Sequence, residues 1–185
     1  MKLRLVTILT LIGALFLSIS GAQAGTPTMD GKKVKVLKFS GSGGTQDHDQ
    51  DAASTSAPDR SQCEPARCIK VKFVYKPAKG AKGGLMITAN WGKPVLSDYD
   101  LYLFELDMRG NGTDVGHCGG LGLNHEKVYA APAQLHSGRT YLVVLDYFRS
   151  IADSVTGTIE MGANSTIGTT VPTKAEVVYP INCTL

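Results

Sequence analysis

Apolar and polar residues alternate with a period of two along most of the chain, which is the spacing of a half-buried strand. Ile69-Lys-Val71-Lys-Phe73-Val-Tyr75 shows it most clearly, with the apolar set on one parity and both lysines on the other. Lys32 to Phe39 alternates in the same way, with Leu37 and Phe39 opposed to Val34, Val36 and Lys38. Leu85 to Trp91, Tyr99 to Leu106, Glu126 to Ala131, Thr140 to Phe148, Val155 to Met161 and Lys174 to Tyr179 read as further strands. This makes about eight in all, separated by Gly, Pro, Asn and Asp turn signals. Thr140 to Phe148 is apolar on both parities, interrupted by Asp146, and is expected to be a central strand covered on both faces. No window carries a helical period of useful length, and Pro132 argues against a helix near Ala130 to Leu135. Many short strands without βα alternation predict an all-β fold, an antiparallel sandwich or barrel.

Three stretches fall outside this pattern. Residues 25–31 read as a loose N-terminal arm. Ser40 to Gln62 is rich in Gly, Ser, Asp and Ala with almost no apolar bulk, and is expected to be a flexible loop. Arg109 to Asn124 reads as a Gly-rich loop. At the N-terminus, Lys2 and Arg4 precede an apolar run from Leu5 to Ile19, and Ala22-Gln23-Ala24 offers a small-x-small cleavage site. That order is a secretory signal peptide over residues 1–24. The run is shorter than the roughly 20 apolar residues of a membrane span, so no membrane span is expected and the remainder is read as one domain over 32–185.

The formal net charge of the 185-residue chain is +3, of which Lys2 and Arg4 supply two. No basic excess remains to hold a phosphate backbone, so nucleic acid is not an expected partner. Cys63, Cys68, Cys118 and Cys183 all follow the signal, and an exported chain meets an oxidising compartment, so two disulfides are expected. Three pairings are possible. Cys63–Cys68 with Cys118–Cys183 is favoured, because Cys63-Glu-Pro-Ala-Arg-Cys68 is short and can close on itself at Pro65. A zinc site on Cys63, Cys68, Cys118 and His117 is the rival, without the ligand spacing of known zinc motifs.

The stretch from Trp91 to Val144 resembles the bacterial pre-peptidase C-terminal (PPC) domain family. The matching residues are Trp91, Ser97-Asp98-Tyr99-Asp100-Leu101-Tyr102-Leu103, Gly110, Glu126-Lys-Val128, and Leu135 to Val144 with Gly138 and Tyr141. The resemblance implies a jelly-roll-like β-sandwich, a role in binding substrate or matrix beside secreted hydrolases, and in some members calcium binding. No catalytic domain is attached in this chain, which leaves a stand-alone binding module as the expectation.

Within the matching strand, Tyr99, Leu101 and Leu103 share one face, predicted to be core, and Asp98, Asp100 and Tyr102 share the other. Two carboxylates on one face need a partner, which loop N–H groups, a lysine or a cation can supply. Calcium is the leading cofactor candidate, with Asp98, Asp100 and Asp114 as its ligands. Asp47-x-Asp49-x-Asp51 begins like an EF-hand and fails at Ala52 and Pro58. Tyr102 and Trp91 are candidate ligand contacts, but Trp91 is expected rather to plug the sandwich core, with a sugar- or peptide-stacking platform as its alternative; Phe104 is expected to face outward beside Tyr102. His48, His117, His125 and His136 are the only histidines, and no Gly-x-Ser-x-Gly elbow or nucleophile–base–orienter set is present, so no enzyme is expected. The expectation is a secreted, non-catalytic module for an extracellular protein, polysaccharide or envelope component, in the extracellular space or on the cell envelope. The alternatives are a structural protein of the cell surface and, more distantly, a secreted hydrolase.

Overall fold

The computed structural model describes residues 15–16, 25–42, 45–47, 60–63, 68–92, 96–119, 124–151 and 153–163. These form strands β1 (Leu15–Phe16), β2 (Thr28–Met29), β3 (Val36–Ser42), β4 (Thr45–Asp47), β5 (Cys68–Tyr75), β6 (Gly84–Trp91), β7 (Asp98–Leu106), β8 (Gly112–Cys118), β9 (His125–Ala130), β10 (Arg139–Ile151) and β11 (Ser154–Ala163). Two single turns of 3-10 helix, η1 (Arg60–Gln62) and η2 (Pro132–Gln134), complete the described elements. β1 is a parallel bridge to Leu37 and Lys38 of β3, and the rest of the expected signal peptide lies outside the described residues.

The eight long strands form two four-stranded layers, β3-β11-β6-β9 and β5-β10-β7-β8, with every neighbouring pair antiparallel. Counted in chain order as first to eighth, they lie in the orders 1-8-3-6 and 2-7-4-5. The chain changes sheet at every connection except the β7–β8 hairpin. This is the jelly-roll arrangement of two interlocked Greek keys. Short additions extend the layers: β2 runs parallel to β5, and β4 continues the line of β5 along the far end of β10.

Burial follows the period-two pattern. Tyr99, Leu101 and Leu103 point inward from β7, Leu85, Ile87 and Ala89 from β6, and Tyr141, Val143 and Leu145 from β10, all in one core. Phe39 meets Gly157 across the β3–β11 pair. A Cβ on Gly157 would sit 2.0 Å from the Phe39 ring, so the ring lies flat over a backbone that only glycine leaves bare.

The outside of the β5-β10-β7-β8 sheet is a second apolar cluster of Cys68, Phe104, Leu106, Leu142 and Val144. The segment Arg60–Cys63 lies over it. Cys63 is bonded to Cys68, Gln62 Nε2 donates to the Gly110 carbonyl, Ser61 packs against Gly112, and Arg60 forms an ion pair with Asp146. β10 is thus covered on both faces, as its apolar parities predict.

Three expectations change. The arm at 25–31 supplies β2, where Met29 is fully buried. The loop at 40–62 contains the end of β3, all of β4 and η1. The Gly-rich loop at 109–124 contains β8, an edge strand whose outer residues face solvent and therefore carry polar side chains. The strand expected at 174–179 lies outside the described residues, and β8 is among the eight long strands described.

Candidate functional site

The alternation of β7 sends Asp98, Asp100 and Tyr102 to the outer face, where Asp100 stands directly opposite Asp146 of β10. Like charges directly opposite across an antiparallel pair repel. Burial, then the charges of Asp98 and Asp146, push the Asp100 carboxyl up to about 6, with Arg60 acting in the opposite sense. Burial also raises Asp98, whose Oδ1 has no hydrogen-bond partner among the described residues. The Tyr102 hydroxyl is 3.4 Å from Asp100 Oδ2, and its own acidity is weakened by burial and by that carboxylate.

Asp114 does not join this group. It faces Phe104 on the neighbouring strand, four residues along from Asp100, or about 13 Å at the usual strand rise. Its carboxylate is bound instead to His117, at 2.7 Å from Nδ1. The three aspartates of the expected calcium site are therefore split, and Asp146 takes the place beside Asp100. No group of three or more His, Cys, Asp or Glu side chains among the described residues is arranged to hold a metal ion.

The two aromatic candidates also separate. Trp91 is in the core, with its ring 4.9 Å from Tyr99 and its indole N–H donated to the Ser97 carbonyl. Tyr102 is on the outer face, stacked between Phe104 and His117 at 5.9 and 5.4 Å. Phe104, expected to face solvent, is 6% exposed, within the outer apolar cluster against which Cys63 and Tyr102 pack.

A cleft of about 270 Å³ opens between the β7–β8 pair and η2, lined by Glu105, Thr113, Asp114, Val115, Gln134 and His136. Glu105 Oε2 accepts hydrogen bonds from the Tyr141 hydroxyl (3.0 Å) and pairs with His136 Nδ1 (2.7 Å); Arg139 Nε is 3.5 Å from Oε1. The Tyr141 hydroxyl in turn accepts the His136 backbone N–H at 2.7 Å. Burial opposes ionisation of Glu105, but the bonds from His136 and Tyr141 and the charges of His136 and Arg139 outweigh it and hold the carboxyl below its ordinary value. Gln134 is fixed by both ends of its amide, accepting from the Ala131 N–H and donating to the Val115 carbonyl. The result is a small, preorganised set of hydrogen-bonding groups around one valine.

Glu105, Gln134 and His136 were not singled out in the sequence. Glu105 had a readable signal, since it follows Tyr99, Leu101 and Leu103 on the inward parity and breaks that apolar series. Gln134 and His136 lie on η2 and the turn after it and carry no periodic signal.

The local disulfide Cys63–Cys68 forms as expected, which removes two ligands from the rival zinc site. Cys118 is buried on β8 and is disulfide-bonded; its expected partner, Cys183, lies outside the described residues. No protein-family model matches the chain, and no curated protein matches it.

Proposed function

We propose that this protein is a secreted, non-catalytic module that binds an extracellular polysaccharide, with the cleft beside β8 as the seat for a sugar residue. The observation that carries the reading is the lining of that cleft. Glu105 and Asp114 are each steadied by an imidazole, Gln134 is steadied at both ends, and Thr113 offers a hydroxyl. Sugar hydroxyls are recognised by such paired acceptors and donors, and groups already held in place lose little entropy on binding. The Val115 side chain supplies an apolar wall for the C–H face of the ring. The closed Cys63–Cys68 disulfide suits an oxidising compartment, which supports export. Calcium has no arranged ligand set among the described residues and takes no part in this reading.

Affinity electrophoresis against a panel of soluble polysaccharides, followed by calorimetry on those that retard the protein, tests it. Asp114 is exposed, so Asp114→Asn is expected to leave the melting temperature unchanged while weakening binding at least tenfold. Retardation by no polysaccharide, or binding indifferent to Asp114→Asn and Gln134→Ala, would refute it.

A further inference from the structure

The Arg60–Cys63 segment invites a different question, because a short piece of chain hides a whole apolar face. We infer that it is a redox-sensitive cover: reduction of Cys63–Cys68 releases it from the outer face of the sheet while the jelly roll stays folded. Three observations carry this. First, what lies beneath is apolar and continuous. Phe104, Leu106, Leu142 and Val144 are at most 7% exposed, yet they sit on the outer face, where alternation in an ordinary sandwich would place polar residues.

Second, the cover is separate from the main core. Through Cys63 it packs on the second cluster, and the inward faces of the eight long strands form the other cluster without it. The segment is also held by the Gln62 bond to Gly110, the contact of Ser61 with Gly112, and the Arg60–Asp146 ion pair. The ion pair joins a partly exposed guanidinium to a buried carboxylate.

Third, the two kinds of cysteine differ in access. Cys63 is half-buried at the end of η1, whereas Cys118 is 3% exposed on β8. Thiol–disulfide exchange needs a thiolate to reach a sulfur, and the Cys63 sulfur is more accessible than that of Cys118. The step balances with a dithiol as reductant. One of its thiolates attacks Cys63 Sγ, the Cys68 thiolate leaves and takes up a proton, and the second thiol of the reductant displaces Cys63 to close its own disulfide. Two protein thiols and one oxidised dithiol result.

The full chain treated with dithiothreitol under native conditions provides the test. Alkylation and peptide mapping identify the freed thiols. Far-UV circular dichroism follows the fold, anilinonaphthalene sulfonate fluorescence reports exposed apolar surface, and hydrogen exchange follows residues 60–63. The expected result is labelling at Cys63 and Cys68 ahead of Cys118, a several-fold rise in dye fluorescence, an unchanged far-UV spectrum and faster exchange in the cover. The Cys63→Ser/Cys68→Ser variant should show the same dye binding without reductant. Labelling of Cys63 and Cys68 with no rise in dye fluorescence would show that the cover stays down. Loss of the far-UV spectrum on their reduction would show that the bond holds the whole fold. Labelling of Cys118 first would remove the selectivity. Each of these overturns the inference.

Discussion

Replacing Asp100 with asparagine should make the protein more stable at neutral pH, and the gain should vanish in acid. Asp100 faces Asp146 across β7 and β10, with Asp98 two residues away on the same face, and its carboxyl is pushed up to about 6 from an ordinary value of 3.8. The folded state therefore holds the Asp100 proton more tightly than the unfolded state does. This contribution is fully favourable below pH 3.8, is lost as the pH rises through 6, and is flat above that. A difference of 2.2 pH units corresponds to about 3 kcal/mol, taken as an upper bound because Arg60 and solvent relax around the charge. Asparagine keeps the shape and carries no charge. The variant should exceed the wild type by about 1–3 kcal/mol at pH 8 and match it near pH 4. Urea denaturation at several pH values measures the difference, and comparing the two proteins cancels groups common to both, including Glu105, which titrates in the opposite sense. A difference that is constant from pH 4 to pH 8, or an asparagine variant less stable than wild type at pH 8, would refute the reasoning.

Gly157→Ala should cost about 1–3 kcal/mol in chemical denaturation, because the new methyl meets the Phe39 ring and the packed core gives way only by shifting it; a neutral substitution would show that the ring moves freely. The single tryptophan is Trp91, so the emission spectrum reports that residue alone. It should be blue-shifted and resistant to acrylamide in the native state, and a red-shifted, readily quenched spectrum would contradict its place beside Tyr99. Tyr141→Phe removes both the acceptor for the His136 N–H and the donor to Glu105, and should destabilise by about 1.5–3 kcal/mol. Combining it with Glu105→Gln should cost less than the sum of the two changes, and strict additivity would show that the groups do not interact.

Much of the sandwich was written in local alternation. Tyr99, Leu101 and Leu103 fell on one parity and are all fully buried, and the doubly apolar Tyr141 to Leu145 stretch is covered on both sides. β8 escaped because Gly112-Thr-Asp-Val-Gly-His-Cys118 is an edge strand, and an edge strand with solvent on its open side lacks the apolar series that marks a strand. The cover escaped for a similar reason. Arg60, Ser61 and Gln62 are polar, and their role comes from what they lie upon. Asp100 and Asp146 were each visible as an acid in a strand, but their confrontation needed β10 to be the neighbour of β7, a long-range pairing that no local pattern encodes. The expected calcium set of Asp98, Asp100 and Asp114 is divided on the same point. Asp98 and Asp100 share a face by parity alone, whereas the position of Asp114 depended on the register of a strand that had been read as a loop.

The two sheets use their outer faces in opposite ways. Across the outside of β3, β11, β6 and β9, Lys38, Thr158, Thr88 and Lys127 line up in one row, polar as alternation demands of a solvated face. The outside of the other sheet carries Phe104, Leu106, Leu142 and Val144, and is closed by the protein's own chain. Tyr102 and Phe104 stack on each other as part of that apolar cluster. Concave, fixed polar chemistry is left at the seam where β8 meets η2. There β8 bulges at Val115, opposite Leu103 and Phe104 of β7, and Val115 lines the cleft while its carbonyl holds Gln134. The cleft thus sits where the edge strand that escaped the sequence pattern departs from regular pairing.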